Sequence, residues 1–298
     1  MGVIKRTQCG MCAVSCGLEM EVENNQIVSV RPDPDSPRSQ NYCCRKGRAA
    51  KYHTTHTERL THPLKRVGDE FVEISWEQAN REIAEKANAI INRHGPRSFT
   101  VLGGGLAACH SPVVPLIGIM NGVGSQYQFN PIGIEFMGSW WSNGRIYGDQ
   151  SRYQEPDEHN TDNLVLWGCN PYVTHQMSSA RRVIREMSND PNKRVITIDP
   201  RVTETARMSD IHIALRAGTD SLFLRALIAL ILERDWQDHA YIDKWCKDFD
   251  KAAAWFKGFD IEAALKVCRV PYAQVEAFAK ILCTEDWGVH QDLGVFCG

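Results

Sequence analysis

The sequence has no long apolar run. Nothing in it approaches the ~20 apolar residues that a bilayer crossing needs, so no direct membrane insertion is expected. An excess of charge is missing too. A net charge of −2 over 298 residues points neither to nucleic acid nor to an anionic lipid surface. The opening residues, Met-Gly-Val-Ile-Lys-Arg-Thr-Gln, contain no apolar secretory core, and a cytoplasmic location is the expectation. In a reducing compartment the eleven cysteines are not expected to pair as disulfides. What is present is a globular composition, 43% hydrophobic and 23% charged, sufficient for a substantial core. At ~100–200 residues per domain, the length suggests two or three domains.

Four of the cysteines carry the strongest signal. Cys9, Cys12 and Cys16 form a C-x2-C-x3-C run, and Cys44 follows in Cys44-Arg45-Lys46-Gly47-Arg48. A cubane iron–sulfur cluster takes one thiolate per iron, and a short loop can wrap three of its corners while a distant turn supplies the fourth. Lys46 then places a cation beside an electron carrier. Structural zinc, the alternative, usually takes two C-x2-C pairs or a Cys pair with a His pair; here there is one such pair followed by Cys16. Cys43, adjacent to Cys44, is a competing fourth ligand. His53, His56 and His62 stand nearby in a polar stretch and read as surface residues. Cys109, Cys169, Cys246, Cys268, Cys283 and Cys297 are scattered through apolar or helical contexts and read as packing residues.

The first ~60 residues read as a strand-and-loop domain around the cluster, with Leu18–Glu23 and Gln26–Val30 as a hairpin turning at Asn24-Asn25. A helix is expected over Trp76–Arg93, with Ser75 as N-cap, Gln78 completing a capping box, and Ile83, Ala87, Ile90 and Ile91 as its apolar stripe. Phe99–Leu102 reads as a strand. Gly103-Gly104-Gly105 follows without the G-x-G-x-x-G spacing of a dinucleotide fingerprint.

From about residue 160, strands alternate with helices: a strand at Leu164–Trp167, a helix over 176–188, strands at Arg194–Ile198 and Ile211–Leu215, and a helix over Ser221–Arg234. That order implies a parallel sheet with helices on its faces, whose ligands bind beyond the carboxyl ends of the strands. Three polar turns lie there: Gly168-Cys169-Asn170-Pro171, Asp199-Pro200-Arg201 and Gly218-Thr219-Asp220. Asp199 and Asp220 could accept from ribose hydroxyls or from the N–H edge of a guanine. Arg201 could stack on a base or pair with a phosphate. Such residues are also ordinary turn formers; three such turns on one edge argue for a nucleotide-like ligand.

These motifs resemble the molybdenum or tungsten bis-pterin oxidoreductases of the dimethyl sulfoxide reductase type, which include formate dehydrogenases and periplasmic nitrate reductases. Further segments carry the resemblance: Leu60-Thr61-His62-Pro63-Leu64, Ile74-Ser75-Trp76-Glu77-Gln78-Ala79 and Ala217-Gly218-Thr219-Asp220. It implies that Cys9, Cys12, Cys16 and Cys44 hold a [4Fe–4S] cluster, and that Lys46 eases electron flow between cluster and pterin. It implies that Gly168, Asn170, Pro171 and Thr174, then Asp199, Pro200, Arg201 and Thr203, then Gly218, Thr219 and Asp220, line one molybdopterin guanine dinucleotide, with His175 a further candidate. Molybdenum or tungsten would be held by two such pterins in a complete enzyme.

Two departures from that family stand out. Relatives of the formate and nitrate type place cysteine or selenocysteine on the metal in the stretch corresponding to Asn130–Phe136, where this chain has no cysteine. Glu135 offers the hard anionic oxygen there, suited to an oxidised centre; it also reads as an ordinary loop carboxylate. The second departure is length: family members are longer, and this chain reads as an N-terminal portion ending in a strand that leads into a loop, expected on its own to carry the cluster but to lack turnover. The expected architecture is α/β, with a [4Fe–4S] domain over residues 1–60, a partial α/β domain over 61–135 and a Rossmann-like pterin dinucleotide domain over 136–298. The expected activity is a two-electron reaction of a small-molecule substrate at Mo or W, with electrons relayed through the cluster to a partner protein. The alternatives are a hydratase-like relative using the metal as a Lewis acid, and a non-catalytic electron-transfer subunit similar to the large cluster-bearing subunit of respiratory NADH dehydrogenase.

Overall fold

The computed structural model describes residues 2–12, 14–103, 113–150, 152, 154–174 and 176–296. Gly104, Gly105, Cys109, His175, Cys297 and Gly298 lie outside them. The chain divides into two compact units, Met1–Gly133 and Ile134–Gly298.

The first unit begins with a three-stranded antiparallel sheet in the order β1 (Val3–Gln8), β2 (Gly17–Glu23), β3 (Gln26–Pro32). The β2–β3 hairpin turns at Asn24 and Asn25, whose φ angles of 48° and 61° are those a twisted two-residue turn demands and Asn tolerates. β1 is not anticipated from the sequence, because all six of its residues are exposed and no alternation betrays it. Glu19 crosses the sheet, accepting from Arg6 on one side (3.3 Å) and Arg31 on the other (2.7 Å). The short helices α1 (Arg45–Arg48) and α2 (Ala50–Thr55) follow. The core between sheet and loops is built from Cys9, Val14, Cys16, Leu18 and Cys43.

Beyond it lie a hairpin of β4 (Leu64–Val67) and β5 (Glu70–Glu73), the helix α3 (Trp76–His94), the two-residue strand β6 (Val101–Leu102), α4 (Val113–Val123) and β7 (Gln128–Phe129), parallel to β6. Ser75 caps α3 by accepting from the Gln78 amide at 3.1 Å. The reciprocal half of the capping box is not made, since the Gln78 side chain donates to Glu82 instead. Half of the expected apolar stripe of α3 faces outward: Ile83 is 65% and Ile90 49% exposed, while Ala87 and Ile91 are half-buried.

The second unit opens with α5 (Ile132–Glu135), which straddles the division, and α6 (Met137–Tyr147). It is organised by a parallel sheet of β8 (Asn163–Trp167), β9 (Arg194–Ile198), β10 (Ile211–Ile213) and β11 (Trp287–Gln291), in the order β10-β9-β8-β11. Side chains alternate between its faces. Val165, Trp167, Ile196, Ile198 and Ile213 enter one core, shared with α9 (Asp220–Glu233), α12 (Ile261–Cys268) and α13 (Tyr272–Thr284). Leu164, Leu166 and Val195 enter the other, against α8 (Ala180–Asn189). Covered on both faces, β8 is buried along its whole length, as a central parallel strand should be.

Three expectations need correction here. The helix expected over 176–188 begins only at Ala180, as α8, and a separate turn, α7 (Pro171–Thr174), precedes it; Ser179, at φ 46°, breaks the helical path before α8 begins. The third strand ends at Ile213, not Leu215. Leu293–Phe296, expected as strand, is a helical turn, α14, and the strand lies earlier at Trp287–Gln291. A short apolar run such as Leu-Gly-Val-Phe does not distinguish the two by periodicity.

The winding matters for function. The chain steps outward from β8 to β9 to β10, then returns to the far side of β8 with β11. The reversal leaves a switch point between β8 and β11, where open α/β sheets bind ligands. There Gly168 and Gly294 touch backbone to backbone, the Gly294 amide donating to the Gly168 carbonyl at 3.0 Å. Gly168 sits at φ 63°, and a Cβ on it would lie 2.8 Å from the carbonyl carbon of Gly294 and the amide of Val295. Because backbone cannot yield as a side-chain tip can, Gly168→Ala is expected to destabilise this unit by about 1–3 kcal/mol. A lowered midpoint in urea unfolding is the measurement that checks it.

Candidate functional site: a thiol loop and a strand-end crevice

The thiol loop is the connection between β1 and β2. It is closed by the Cys9 amide donating to the Cys16 carbonyl at 2.8 Å, with an inner turn from the Ser15 amide to the Cys12 carbonyl at 3.2 Å. The segment leading to the fourth thiol is tied to the same place. The Asp33 amide donates to the Gly17 carbonyl at 3.0 Å, and the Gly17 amide donates to Ser39 Oγ at 3.1 Å. Cys44 is the N-cap residue of α1, with extended backbone and no side-chain cap bond. Its thiol is therefore not engaged in capping.

Gly47 explains how α1 can press against the loop. A Cβ at this position would come 2.6 Å from Cys43 Sγ and 3.2 Å from Cys9 Sγ. Lys46, Arg45 and Arg48 make the rest of α1 basic and exposed. The Cys16 thiol lies in the field of Cys12, Cys9 and Cys44, and burial pushes it up to about 11. Burial also raises Cys9, and raises Cys43 to about 12. Ligation needs thiolates, so loading this site releases those protons.

Four thiols from two segments, backed by a glycine that a larger residue would displace, fit a cubane. No group of three or more His, Cys, Asp or Glu side chains among the described residues is arranged around a single ion, whereas a cube spreads its ligands over four irons. His53, His56 and His62 are exposed. His56 Nδ1 accepts from the Glu58 amide at 3.2 Å and His62 Nδ1 lies 3.0 Å from Thr61 Oγ1, consistent with surface roles.

In the second unit the sheet's carboxyl edge brings the three expected turns together, in different capacities. After β8, Asn170 is held on both sides of its amide. Its Oδ1 accepts from the Thr205 hydroxyl (2.7 Å) and amide (3.2 Å), and its Nδ2 donates to Glu204 Oε2 at 2.8 Å. That last bond holds the Glu204 carboxyl below its usual range. Asn170 thus laces the β8 turn to the β9 turn. Pro171 is buried and opens α7, and Thr174 is exposed, its hydroxyl donating to the Asn170 carbonyl at 3.1 Å.

After β9, Asp199 Oδ1 accepts from the Arg201 amide at 2.8 Å, forming a tight turn that leaves Oδ2 without a partner among the described residues. Pro200 and Arg201 are exposed. Thr203 is buried, and its Oγ accepts from the Ala206 amide at 3.1 Å, so it shapes the loop from within. After β10, Gly218 is exposed at φ 76°. The Thr219 hydroxyl donates to the Arg216 carbonyl at 2.5 Å. Asp220 opens α9 with Oδ1 accepting from Trp167 Nε1 at 2.8 Å.

A fourth turn, missed in the sequence, completes the edge. Asp292 follows β11 beside Gly168, with Oδ1 accepting from the Leu293 amide at 2.8 Å, and Gly294 closes onto Gly168. Cys169 lies beneath, buried and with its thiol raised by burial, donating to the His290 carbonyl at 3.6 Å; it packs rather than reacts. Glu135, at the end of α5, is half-buried.

Comparison with known proteins covers both parts of the site. Residues 3–56 match the molybdopterin oxidoreductase Fe4S4 domain, and residues 59–239 match the molybdopterin oxidoreductase family. A Staphylococcus aureus (strain USA300) protein named as a formate dehydrogenase is 26% identical over 97% of this chain and 30% of its own length. The oxidoreductase YyaE of Bacillus subtilis (strain 168) is 25% identical over 99% of this chain and 44% of its own. Among solved structures, acetylene hydratase from Pelobacter acetylenicus shares the fold with a TM-score of 0.80 at 23% identity, over 97% of this chain and 40% of that one.

These features define an iron–sulfur protein with a pterin-binding α/β unit. The chain belongs to the molybdopterin oxidoreductase family. Its cofactors are a [4Fe–4S] cluster and molybdopterin with molybdenum or tungsten. It spans less than half the length of the relatives it matches.

Cys44 has the family's spacing to Lys46, so Cys44→Ser is expected to lower cluster retention more than Cys43→Ser. Iron per chain after anaerobic reconstitution is the readout, with about four irons for the intact chain. A larger loss from Cys43→Ser would reassign the fourth ligand.

Proposed function

We propose that the protein acts as a molybdopterin-dependent iron–sulfur oxidoreductase, carrying out a two-electron reaction of a small-molecule substrate and passing electrons singly through the cluster to a partner protein. The observation that carries the reading is the convergence of four polar turns on one switch point, in a chain that also has the four-thiol loop. The pterin cofactor, when bound, supplies the metal at which such two-electron chemistry occurs.

In this reading the chain's residues bind and orient. Gly168 and Gly218 let backbone N–H groups approach a phosphate. Asp199 and Asp220 each have one oxygen held internally and present the other to a nucleotide's hydroxyls or guanine edge. Arg201 supplies an exposed planar cation for phosphate or base. Asn170, Pro171, Thr174, Thr203 and Thr219 fix the turns in register. Cys9, Cys12, Cys16 and Cys44 hold the cluster, with Lys46 the cation beside it that favours electron arrival. Glu135 is the proposed carboxylate ligand to the metal, in place of a cysteine. The names of the relatives support a redox reaction over the hydration expected of the alternative reading, and a formate-like substrate is one candidate.

Asp199→Ala and Asp220→Ala are each expected to weaken binding of the pterin guanine dinucleotide roughly tenfold to a hundredfold, the equivalent of ~1.5–3 kcal/mol for a charged hydrogen bond. Cluster absorbance should stay intact. Asp199→Asn, which can keep the bond from the Arg201 amide, separates loss of charge from loss of the turn. Unchanged cofactor occupancy in the folded double variant Asp199→Ala/Asp220→Ala would return these turns to ordinary loop chemistry. For the reaction itself, metal analysis of the holoenzyme should find Mo or W, and a viologen dye assay of that holoenzyme should report electron transfer. Metal without any dye reaction would favour the hydratase reading, and no metal would favour the electron-transfer subunit.

A further inference from the structure

Five thiols gather at the cluster loop, one more than a cubane needs. Cys43 is 2% exposed, against 8% for Cys9 and Cys16, and it packs with both in one small core. Its sulfur and that of Cys9 border the same point beneath α1, the place where a Gly47 side chain would be. It also lies in the field of Cys44, Cys16 and Cys9. The hydrogen bond recorded for its thiol is to the carbonyl of its own neighbour, Cys44, at 3.3 Å, a weak sulfur bond that is readily given up. Residues 42–44 belong to no helix or strand, so no ladder fixes the peptide between the two cysteines. Simple packing would account for a buried Cys43. It would not account for a second thiol placed against Cys9 where the fourth ligand's helix meets the loop.

We propose that Cys43 is a reserve ligand of the cluster, able to take the fourth iron corner in place of Cys44. The step is a substitution at iron. The bond from iron to Cys44 Sγ breaks, the bond to Cys43 Sγ forms, the Cys43 proton passes to the released Cys44 thiolate, and no electron is transferred. The proposal rests on the reading of Cys9, Cys12, Cys16 and Cys44 as the resting ligand set. It adds a device that keeps the cluster held while its fourth ligand is exchanged or damaged.

The test reconstitutes the full chain anaerobically with ferrous iron and sulfide, as wild type, Cys44→Ala and Cys43→Ala/Cys44→Ala. Iron per chain and the electron paramagnetic resonance of the reduced protein are the readouts, and circular dichroism confirms folding. Cys44→Ala should load fewer irons than wild type but clearly more than the double variant, with a shifted resonance that reflects the changed ligand, and the double variant should lose that cluster. A Cys44→Ala chain as empty as the double variant would overturn the proposal, as would a double variant that loads as well as Cys44→Ala. A wild type that takes up no iron would overturn the cluster reading as well. Should Cys44→Ala fail to fold, the otherwise native chain decides: Cys43→Ala should surrender its iron to a chelator severalfold faster than wild type, and equal rates would sink the idea.

Discussion

The contact between the Gly168 and Gly294 backbones is the constraint on which the second unit depends. It joins the carboxyl ends of β8 and β11, the two strands between which the winding of the sheet reverses. Side chains at either position would wedge the strands apart. A Cβ on Gly294 would overlap the Gly168 carbonyl oxygen. With the strands held, Asp292 comes beside the first turn, its amide donating to the Trp167 carbonyl at 3.4 Å. The opposite end of the same pair is fastened by polar bonds, with Thr161 Oγ donating to Asp286 at 3.1 Å and Asn163 Nδ2 to the Asp286 carbonyl at 2.8 Å. An edge strand with two exposed residues at its ends is thus pinned at both termini.

The first unit meets a similar problem with a similar solution. Gly47 lets a four-residue helix, too short to be stable alone, rest on the thiol loop. The helix brings Cys44 to the loop and leaves its basic residues on the outside. Cluster and helix are then mutually dependent: metal binding in small domains of this kind supplies folding free energy as well as chemistry.

The central strands were legible in the sequence for a physical reason. Leu164–Trp167 and Arg194–Ile198 are covered on both faces, so their apolar runs are continuous and end sharply at polar turns. β11 was not legible, because Gly288 and His290 interrupt its apolar residues and its pairing is to a strand far earlier in the chain. A thiol-rich loop could be read from spacing alone. The rank of Cys43 against Cys44 could not, since adjacency in sequence says nothing of which sulfur faces inward. Asn170 was singled out as a ligand contact, and the partners that hold it, Glu204 and Thr205, were hidden. A side-chain bond across two turns leaves no periodic trace.

That lacing has a consequence for how the protein reports on its own occupancy. Asn170 couples the loop after β9 to the loop after β8, and the first of these carries the exposed Arg201 and Arg207. A ligand seated on either turn therefore restrains both, and local opening of the arginine-bearing loop is suppressed in proportion to binding. Trypsin, which cuts after such arginines only when the backbone can open, would act as a gauge of cofactor loading that needs no substrate and no knowledge of the reaction.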